Sequence, residues 1–483
     1  TKAIIENLNA NIEFKYDKQK QYINLGMQLK KMLYTTSDSM ALNVDVNDCD
    51  INIISNSKDE NLFNSDLKFI CESMSVSMEA DTLLSNMKFD THLPVDINLS
   101  ENSYDLGNMK LIVNDEQEVS LSGNITLMNG DSIFTDLNYA TNTLDIEKTM
   151  ALIPNAYSTY LEGLTAKGFA QISGSLEGLY YDTLMPLINK NIEYEKGEIK
   201  YEDYPVVKDI KLSMSAILDM NNTRSSDVKI NSSNARIMRS SVSVKGDIRD
   251  ILNIPAFDIY SDGDFNLDDF KPYIPKDQNV IVRGLLNGNI HTKFSQSDID
   301  NEAYHRIFLK GKFRTRNFYA VYDDSMKVDL PLADIKLLLP GNRRVSKDLK
   351  LANITIAAPN MDLEMVPAMK AVTKDLELSV DINNMAEGVS APVTYCEYKV
   401  GFLYATYDTL VIKANNADGQ LKYAPELIEK KEIAIVNSTI NSQDIIIASK
   451  DSVMFDAKKL YAKTNGTYDE SQSNIIDQWQ PEL

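Results

Sequence analysis

Residues 375–382 read DLELSVDI, a stretch in which apolar and polar side chains alternate without a break. Because successive side chains of a β-strand point to opposite faces, this pattern predicts a strand with one apolar face and one wet face. The same period of two recurs in residues 73–78, 93–99, 210–216 and 328–332. Strands of this kind belong to antiparallel sheets that are covered on one side, so the sequence predicts an all-β fold.

Two short segments interrupt the alternation in the same way. Residues 144–154 read LDIEKTMALIP, and residues 265–275 read FNLDDFKPYIP. Each contains Leu-Asp and ends in Ile-Pro, which predicts a helix of about two turns that an Asp side chain caps and the last proline ends. Such a short helix is not stable alone, so we expect both segments to lie against the sheet.

The two segments belong to a longer internal repeat. The landmarks Gly123, Pro154 and Gly168 return at offsets of 123, 121 and 120 residues, as Gly246, Pro275 and Gly288. Three landmarks in the same order at nearly constant spacing predict a repeated structural unit. A third unit is predicted to begin near Phe308.

These repeats give a predicted division of the chain. It comprises an N-terminal β-rich segment over residues 1–65, repeat units over residues 66–180, 181–300 and 301–465, and a polar tail over residues 466–483. We expect all of them to form one continuous, elongated domain of a longer protein, because the sequence begins inside an apparent strand.

Three other local patterns predict departures from plain strands. Residues 24–34 (NLGMQLKKMLY) and 179–189 (LYYDTLMPLIN) predict short helices. Residues 192–201 (IEYEKGEIKY) predict a hairpin of two short strands that turns at Lys196-Gly197.

Composition excludes several classes of function. The net charge is −21 and the pI is about 4.7, so phosphate backbones and anionic lipid headgroups would repel the chain, and nucleic-acid binding is not expected. No apolar run approaches the length of a transmembrane segment. The three cysteines, Cys49, Cys71 and Cys396, are too few for a disulfide framework; we expect small apolar fillers, with one bridge left open.

No catalytic or metal-binding motif is present in the sequence. The three histidines, His92, His291 and His305, are not spaced as metal ligands. Oxygen donors alternate over residues 262–268 as at the start of a calcium loop, but Leu267 and Tyr273 occupy the positions of its glycine and its last glutamate. We therefore expect no enzymatic activity, no metal and no cofactor.

The repeated unit resembles the AsmA family, which includes TamB-like proteins and is related to the bridge-like lipid-transfer proteins with repeating β-groove architecture. The resemblance rests on the strands VSLSGNI (residues 119–125) and VSVKGDI (residues 242–248), on the two Leu-Asp…Ile-Pro segments, and on residues 191–218, which read NIEYEKGEIKYEDYPVVKDIKLSMSAIL. The resemblance covers residues 66–292, and the remainder of the sequence shares only the general pattern of alternating strands.

The resemblance implies a particular fold and function. The implied fold is an elongated, repetitive, strongly bent antiparallel β-sheet with a few short helices, a U-shaped β-groove with an apolar concave face. The implied function is non-enzymatic: the groove shields phospholipid acyl chains, for lipid transport between inner and outer membrane and for outer-membrane homeostasis. Family members work in the periplasm of Gram-negative bacteria, tethered to the inner membrane, here by a segment outside this chain. The implied partners are phospholipids and components of the inner and outer membrane.

The candidate groove lining consists of the apolar members of the alternating strands. These candidates are Val95, Ile97, Leu99, Leu121, Ile125, Leu127, Leu212, Met214, Val242, Val244, Ile248, Val328, Leu330, Leu332, Leu376, Leu378, Val380 and Ile382.

Two alternatives stay open at the level of the sequence. The apolar faces can instead close into a dry core, which would make the protein a structural or partner-binding β-scaffold in outer-membrane biogenesis. The protein can also be an extracellular glycan-binding β-protein, a class that the 24 tyrosines keep in consideration. Alternation shows which side chains share a face, but not whether that face is open.

Overall fold

The structure is a computed structural model. It describes residues 2–17, 20–36, 42–78, 81–128, 132–153, 161–274, 279–342, 349–366, 369–383, 393–423, 435–449 and 452–465. The chain forms two compact units: unit 1 comprises residues 1–235 and 249–253, and unit 2 comprises residues 236–248 and 254–483. The predicted polar tail over residues 466–483 lies outside the described residues.

The strands of unit 1 are long and follow one another closely along the chain. They are β1 (Lys2–Asp17), β2 (Lys20–Thr35), β3 (Leu42–Ser57), β4 (Leu62–Met78), β5 (Asp81–Asn98), β6 (Ser103–Val113), β7 (Gln117–Leu127), β8 (Ile133–Thr141), β9 (Leu144–Asp145), β10 (Leu164–Tyr180), β11 (Leu187–Tyr201) and β12 (Val207–Leu218). The division between the units falls in the stretch that holds β13 (Asp227–Ile237) and β14 (Ser240–Arg249).

The strands of unit 2 are of similar length until the last four. They are β15 (Ala256–Asn266), β16 (Val280–Ser295), β17 (Phe308–Tyr322), β18 (Met326–Pro340), β19 (Lys350–Met365), β20 (Met369–Asn383), β21 (Val393–Tyr407), β22 (Leu410–Tyr423), β23 (Ile435–Ser442), β24 (Asp444–Ser449), β25 (Ser452–Ala457) and β26 (Leu460–Asn465). The described helices are α1 (Ile146–Ala151), α2 (Gln296–Asp300) and the 3-10 helices Thr223–Ser225, Leu267–Tyr273 and Tyr304–Arg306.

Each unit is an antiparallel sheet in which chain neighbours pair. In unit 1 pairing runs from β1 to β8, and β10 then continues to β11 and β12, with the short β9 alongside β10. In unit 2 pairing runs from β15 to β22, and β22 pairs with β24 along its first half and with β23 along its second. The prediction of an all-β antiparallel fold with a few short helices is confirmed.

In several strands the apolar residues occupy alternate positions up to one residue and then shift by one position, a change that we call a parity switch. In β20, Ala371 and Thr373 are buried, and burial resumes at Leu376 after two exposed residues. Asp375, between them, has a φ of 53°, a left-handed conformation that Asn and Asp adopt more readily than most residues. The same conformation occurs inside other strands, at Asn7, Asp48, Asn86, Asp209, Asn317 and Asn416, with φ between 48° and 52°. The switch keeps the apolar side chains of a long strand on one face.

Parity switches explain why two local predictions were wrong. Residues 24–34 do not form a helix but lie within β2, where the apolar positions Leu25, Leu29 and Met32 have helical spacing because parity changes at the exposed Lys30 and Lys31. Residues 192–201 do not form a hairpin but lie within the single strand β11. Lys196, with a φ of 51°, and Gly197 form an irregularity at which the pairing register shifts.

The helix predicted over residues 179–189 is also absent. The segment contains the end of β10, an isolated bridge between Tyr181 and Leu184, and the start of β11. It is therefore a turn between two paired strands, with Pro186 just before the second strand.

Both repeated segments are helical as predicted, and the predicted aspartate cap is present in the first segment but is replaced by Asn266 in the second, which is a 3-10 helix. Asp145 caps α1 by accepting hydrogen bonds from the backbone N–H groups of Glu147 and Lys148 at 3.1 and 3.3 Å. In the second segment Asn266 caps the 3-10 helix Leu267–Tyr273, which contains Pro272. Both segments contact the strand that follows them, as predicted. The closing prolines at positions 154 and 275 lie outside the described residues.

The predicted equivalence of two glycine pairs is confirmed for Gly123 and Gly246 but not for Gly168 and Gly288. Gly123 and Gly246 both have positive φ, and a Cβ atom at either would lie 2.1 or 2.2 Å from the carbonyl oxygen of an aspartate, Asp136 or Asp258. The structural counterpart of Gly168 is Gly284 rather than Gly288. Gly168 and Gly284 share a positive φ and face a left-handed residue of the next strand, while Gly288 does not have this conformation.

In each unit a tyrosine side chain lies over a glycine of the adjacent strand and donates a hydrogen bond to the strand beyond it. In unit 1 the Tyr139 side chain of β8 crosses Gly174 of β10, and its hydroxyl donates to the Asn189 carbonyl of β11 at 3.2 Å. In unit 2 the Tyr398 hydroxyl of β21 reaches past Gly419 to the Thr439 carbonyl at 3.4 Å. Burial raises the pKa of both tyrosines, so both hydroxyls stay protonated as donors. Only glycine leaves room for this arrangement.

We predict that Gly174→Ala destabilises unit 1 by about 1–3 kcal/mol, because the new Cβ would lie 1.9 Å from the Asn189 carbonyl oxygen. Tyr139→Phe should lower stability by about 1 kcal/mol through the loss of one hydrogen bond. Urea denaturation followed by circular dichroism measures both changes. Gly26→Ala is the matched control, because a Cβ there meets no atom within 4 Å. Equal midpoints for Gly174→Ala and Gly26→Ala would contradict the prediction.

Candidate functional site

The structure places an apolar pocket of about 730 Å³ in unit 1. Strands β7, β8, β10 and β11 form its floor, and the β10–β11 connection and the residues after β12 form its rim. Its lining residues are Ile125, Ile133, Thr135, Leu137, Leu176, Tyr180, Thr183, Met185, Pro186, Ile188 and Met220. The volume lies within the range that small-molecule ligands usually occupy.

Strand register brings the floor residues onto one face. Ile125 lies opposite Thr135, Leu137 opposite Leu176, and Leu176 opposite Ile188. The hydroxyl of Thr135 donates to the carbonyl oxygen of Gly178 at 3.2 Å, so this polar group is already bonded within the protein. The floor therefore presents hydrocarbon to whatever occupies the pocket.

The rim is held in place by one asparagine. The Asn221 side chain accepts a hydrogen bond from the Met185 backbone N–H at 3.0 Å and donates to the Met185 carbonyl at 2.7 Å. This pair of bonds ties the β10–β11 connection to the chain after β12. Even so, Tyr180, Met185 and Met220 remain 46%, 42% and 46% exposed. The pocket thus has an ordered but uncovered apolar rim.

The pocket continues into the apolar face of the neighbouring strands. Leu137 belongs to a buried cluster with Val95 and Leu106, and Ile125 and Leu176 pack against that cluster. Ile97 and Leu121, two further predicted lining residues, pack there as well. The structure therefore brings four of the predicted residues of unit 1 together beside the pocket, and Ile125 lines it.

The other predicted residues of unit 1 are placed differently. Leu212 packs against a separate cluster around Ala170, Tyr194 and Ile210, and Met214 is half-buried. Leu99 lies in the turn just after β5, Leu127 is the last residue of β7, and both are exposed.

In unit 2 several predicted residues lie in closely packed clusters. Leu376 is buried with Val400, with Ala414 and Ala417 of β22 and with residues of β24–β26, and Leu378 packs against this cluster. Leu330 is buried with Ala333 and Ala358, and Val328 packs beside them. Ile382 contacts a smaller cluster of two buried leucines. The alanines let strands and side chains approach closely, so these places are filled by the protein itself.

The remaining predicted residues do not join a described cluster. Val242, Val244, Ile248 and Val380 are half-buried. Leu332 is 43% exposed although Leu330 is 4% exposed, because the apolar positions of β18 change parity between Leu330 and Ala333. Alternation alone does not reveal this change.

Sequence reasoning missed most of the pocket. Residues 133–137 (IFTDL) do not alternate strictly, because Phe134 is apolar and Thr135 is polar, so the pattern gave no clear signal for Ile133 and Leu137. Tyr180 and Met185 fall in the segment that was predicted to be a helix, so their place at the mouth of a pocket could not be inferred.

Cys49 and Cys71 lie opposite each other on β3 and β4, and both are buried and free. Burial, together with the adjacent Cys71, raises the pKa of the Cys49 thiol to about 12. Cys396 is half-buried, and burial raises its pKa as well. Cys49 and Cys71 pack with apolar neighbours such as Val46, which agrees with a space-filling role.

Within the described ranges, no three His, Cys, Asp or Glu side chains come together in a way that could hold a metal ion. In the same part of the chain, no helix has both the length and the apolar composition needed to cross a membrane.

Comparisons with protein-family models, with curated proteins and with solved structures find no match to this chain.

We predict that Cys49 in reduced, folded protein resists alkylation by iodoacetamide at pH 8, because its thiolate forms only near pH 12. After unfolding in urea it should react at the rate of an ordinary thiol. Since the folded pKa lies above the unfolded value, this thiol favours the folded state fully below about pH 8.5, and the effect is lost as the pH rises towards 12. Mass spectrometry of alkylated peptides measures the reaction. Equal labelling rates in folded and unfolded protein would contradict the prediction.

We predict that Leu376→Asp unfolds unit 2, because the charge would be buried in a cluster without a partner. Leu332→Asp places the same charge at an exposed position and should leave the fold intact. Circular dichroism and limited proteolysis compare the two variants. A folded, protease-resistant Leu376→Asp protein would show that this cluster is not a closed core.

Proposed function

We propose that this chain is a non-enzymatic, AsmA-like periplasmic protein that shields the acyl chains of phospholipids on an apolar sheet face. It would serve lipid transport between inner and outer membrane and outer-membrane homeostasis. A segment outside this chain would tether it to the inner membrane. The observation that carries the proposal is the open apolar pocket of about 730 Å³ in unit 1, which continues into the cluster around Val95 and Leu137.

The physical chemistry of the pocket suits an acyl chain. A hydrocarbon floor with an uncovered rim leaves apolar surface in water, and occupation by a lipid tail removes it. Each methylene group buried contributes about 0.8 kcal/mol, so about sixteen methylenes give on the order of 13 kcal/mol as an upper bound. A tail gains a similar amount in a bilayer, so transfer between the two need not be steeply uphill.

The charge of the protein indicates that lipid binds through apolar contacts rather than through attraction to a charged headgroup. The net charge of −21 opposes binding to anionic surfaces. Met185 and Met220 at the rim are flexible apolar side chains, which adapt to tails of different shape.

A second candidate function has support from unit 2. The alanine-rich cluster around Leu376 and Val400 is closely packed, which favours a structural or partner-binding scaffold with a dry core there. An experiment can distinguish lipid shielding from the scaffold function, because only lipid shielding requires lipid in unit 1.

The first experiment asks whether lipid occupies the pocket. The purified chain should carry phospholipid in native mass spectrometry, and a photoreactive benzoylphenylalanine in place of Tyr180 should crosslink to it. The same residue in place of Tyr407, an exposed tyrosine of unit 2, is the control and should not crosslink. Lipid-free protein without crosslinks from position 180 would contradict the lipid proposal and favour the scaffold function.

We predict that Met185→Asp removes most of the co-purifying lipid, because an unpaired charge at the rim disfavours an apolar ligand. The fold should be retained, since Met185 is partly exposed. Met365→Asp, at a methionine of unit 2 with 44% exposure, is the matched control and should keep its lipid. Native mass spectrometry and thermal melting compare the variants. Full lipid occupancy in folded Met185→Asp protein would count against this pocket as the site.

A further inference from the structure

The arginines of the chain are confined to one region. All ten lie between residues 224 and 344, whereas lysines occur throughout the sequence. Arginine differs from lysine in its planar fork of donors, which matches the geometry of carboxylate and phosphate groups. In a chain of net charge −21, such a local concentration calls for a physical explanation.

Three of these arginines line one pocket of unit 2. Its volume is about 340 Å³, and Arg239, Arg314 and Arg316 contribute to its wall together with Asn287, Leu285 and Phe265. The register of β16 and β17 places Arg314 opposite Asn287 and Arg316 opposite Leu285. Arg239 comes from the turn between β13 and β14.

Two of the three arginines are fixed by aspartates. Arg314 donates from Nε and Nη2 to the two carboxylate oxygens of Asp334 at 2.7 and 3.0 Å. Arg239 donates from Nε to Asp269 Oδ1 at 2.8 Å, and its backbone N–H donates to the other oxygen at 3.0 Å. A guanidinium has five N–H donors, and each of these uses two on its aspartate, so donors remain for a ligand.

Arg316 is the arginine without a fixed partner. In the part of the chain that the structure describes, it makes no ion pair, although it lies two residues from Arg314 on the same strand. The apolar Leu285 opposite it is exposed. A free guanidinium beside two ordered ones and an apolar wall is an arrangement for an anion that carries an organic group.

The charges around the pocket limit the charge of that anion. Asp269 and Asp334 balance Arg239 and Arg314, and Asp264, which accepts a hydrogen bond from Asn287 at 2.6 Å, lies on the wall with Arg316. The hydrogen-bonded Asp269 raises the pKa of Arg239, and Asp268, a further negative charge here, contributes to that rise. A second negative charge on the ligand would be repelled by these four carboxylates. A singly charged diester fits this balance better than a doubly charged monoester.

We propose that this pocket binds a phosphodiester group. Arg316 and the free N–H groups of Arg314 and Arg239 hold the phosphate oxygens, and Leu285 and Phe265 contact the adjoining organic group. The proposal does not depend on lipid binding in unit 1. The same chemistry occurs in lipid headgroups and in soluble phosphodiesters, and the choice of probes separates these from free phosphate.

Isothermal titration calorimetry with glycerophosphoglycerol, a diester of charge −1, and with inorganic phosphate tests the proposal at low salt. The diester should bind more tightly than inorganic phosphate, and added sodium chloride should weaken it. Dihexanoyl phosphatidylglycerol, used below its micelle concentration with the Met185→Asp variant so that the pocket of unit 1 does not contribute, tests for a lipid source through a further gain in affinity. No heat with either diester, or tighter binding of inorganic phosphate, would overturn the assignment.

Arg316→Gln tests the residue itself. It removes the charge at an exposed position and should weaken diester binding by about tenfold or more without unfolding the protein. Arg224→Gln, at an exposed arginine of unit 1, is the matched control and should bind as the parent protein does. Met185→Asp should also leave this binding unchanged, so failure here is distinguishable from failure of the lipid proposal. Unchanged affinity in folded Arg316→Gln protein would overturn the role of Arg316.

Discussion

The structure depends on keeping the apolar side chains of long strands on one face of a sheet. A strand of 15 to 18 residues, such as β5 or β20, exceeds the usual strand length, and any local irregularity would turn its remaining side chains to the opposite face. Left-handed residues inside the strands, such as Asp48 in β3 and Asp375 in β20, meet this constraint because the apolar pattern changes parity where they occur. The short polar side chains of Asn and Asp make that conformation accessible at little energetic cost.

The same constraint produces two different outcomes in the two units. In unit 1 the apolar face includes large side chains, such as Leu137 and Leu176, around an open pocket. In unit 2 small residues, such as Ala414 and Ala417, let the strands that fork from β22 close over Leu376. One sheet architecture therefore provides both a place for an apolar ligand and a packed core, and residue size decides between them.

The two proposed sites use opposite chemistry. The pocket in unit 1 offers hydrocarbon and no unsatisfied hydroxyl at Thr135. The pocket in unit 2 offers guanidinium groups, two of which are held by Asp269 and Asp334. Aspartates that orient arginines also limit the charge that the site accepts, which is how an acidic protein can carry a selective anion site.

The sequence by itself determined the antiparallel all-β class, the two short helical segments and the equivalence of Gly123 and Gly246, because each rests on local spacing or on a steric need of one residue. Only the tertiary structure decided that residues 24–34 form a strand, since the spacing of Leu25, Leu29 and Met32 fits a helix as well as a strand with a parity switch. It alone decided which apolar positions are open, because Leu330 and Leu332 look alike in sequence and differ in burial. The exposure of a side chain depends on the residues that approach it from other strands. The local sequence pattern of a strand does not predict which distant strands those are.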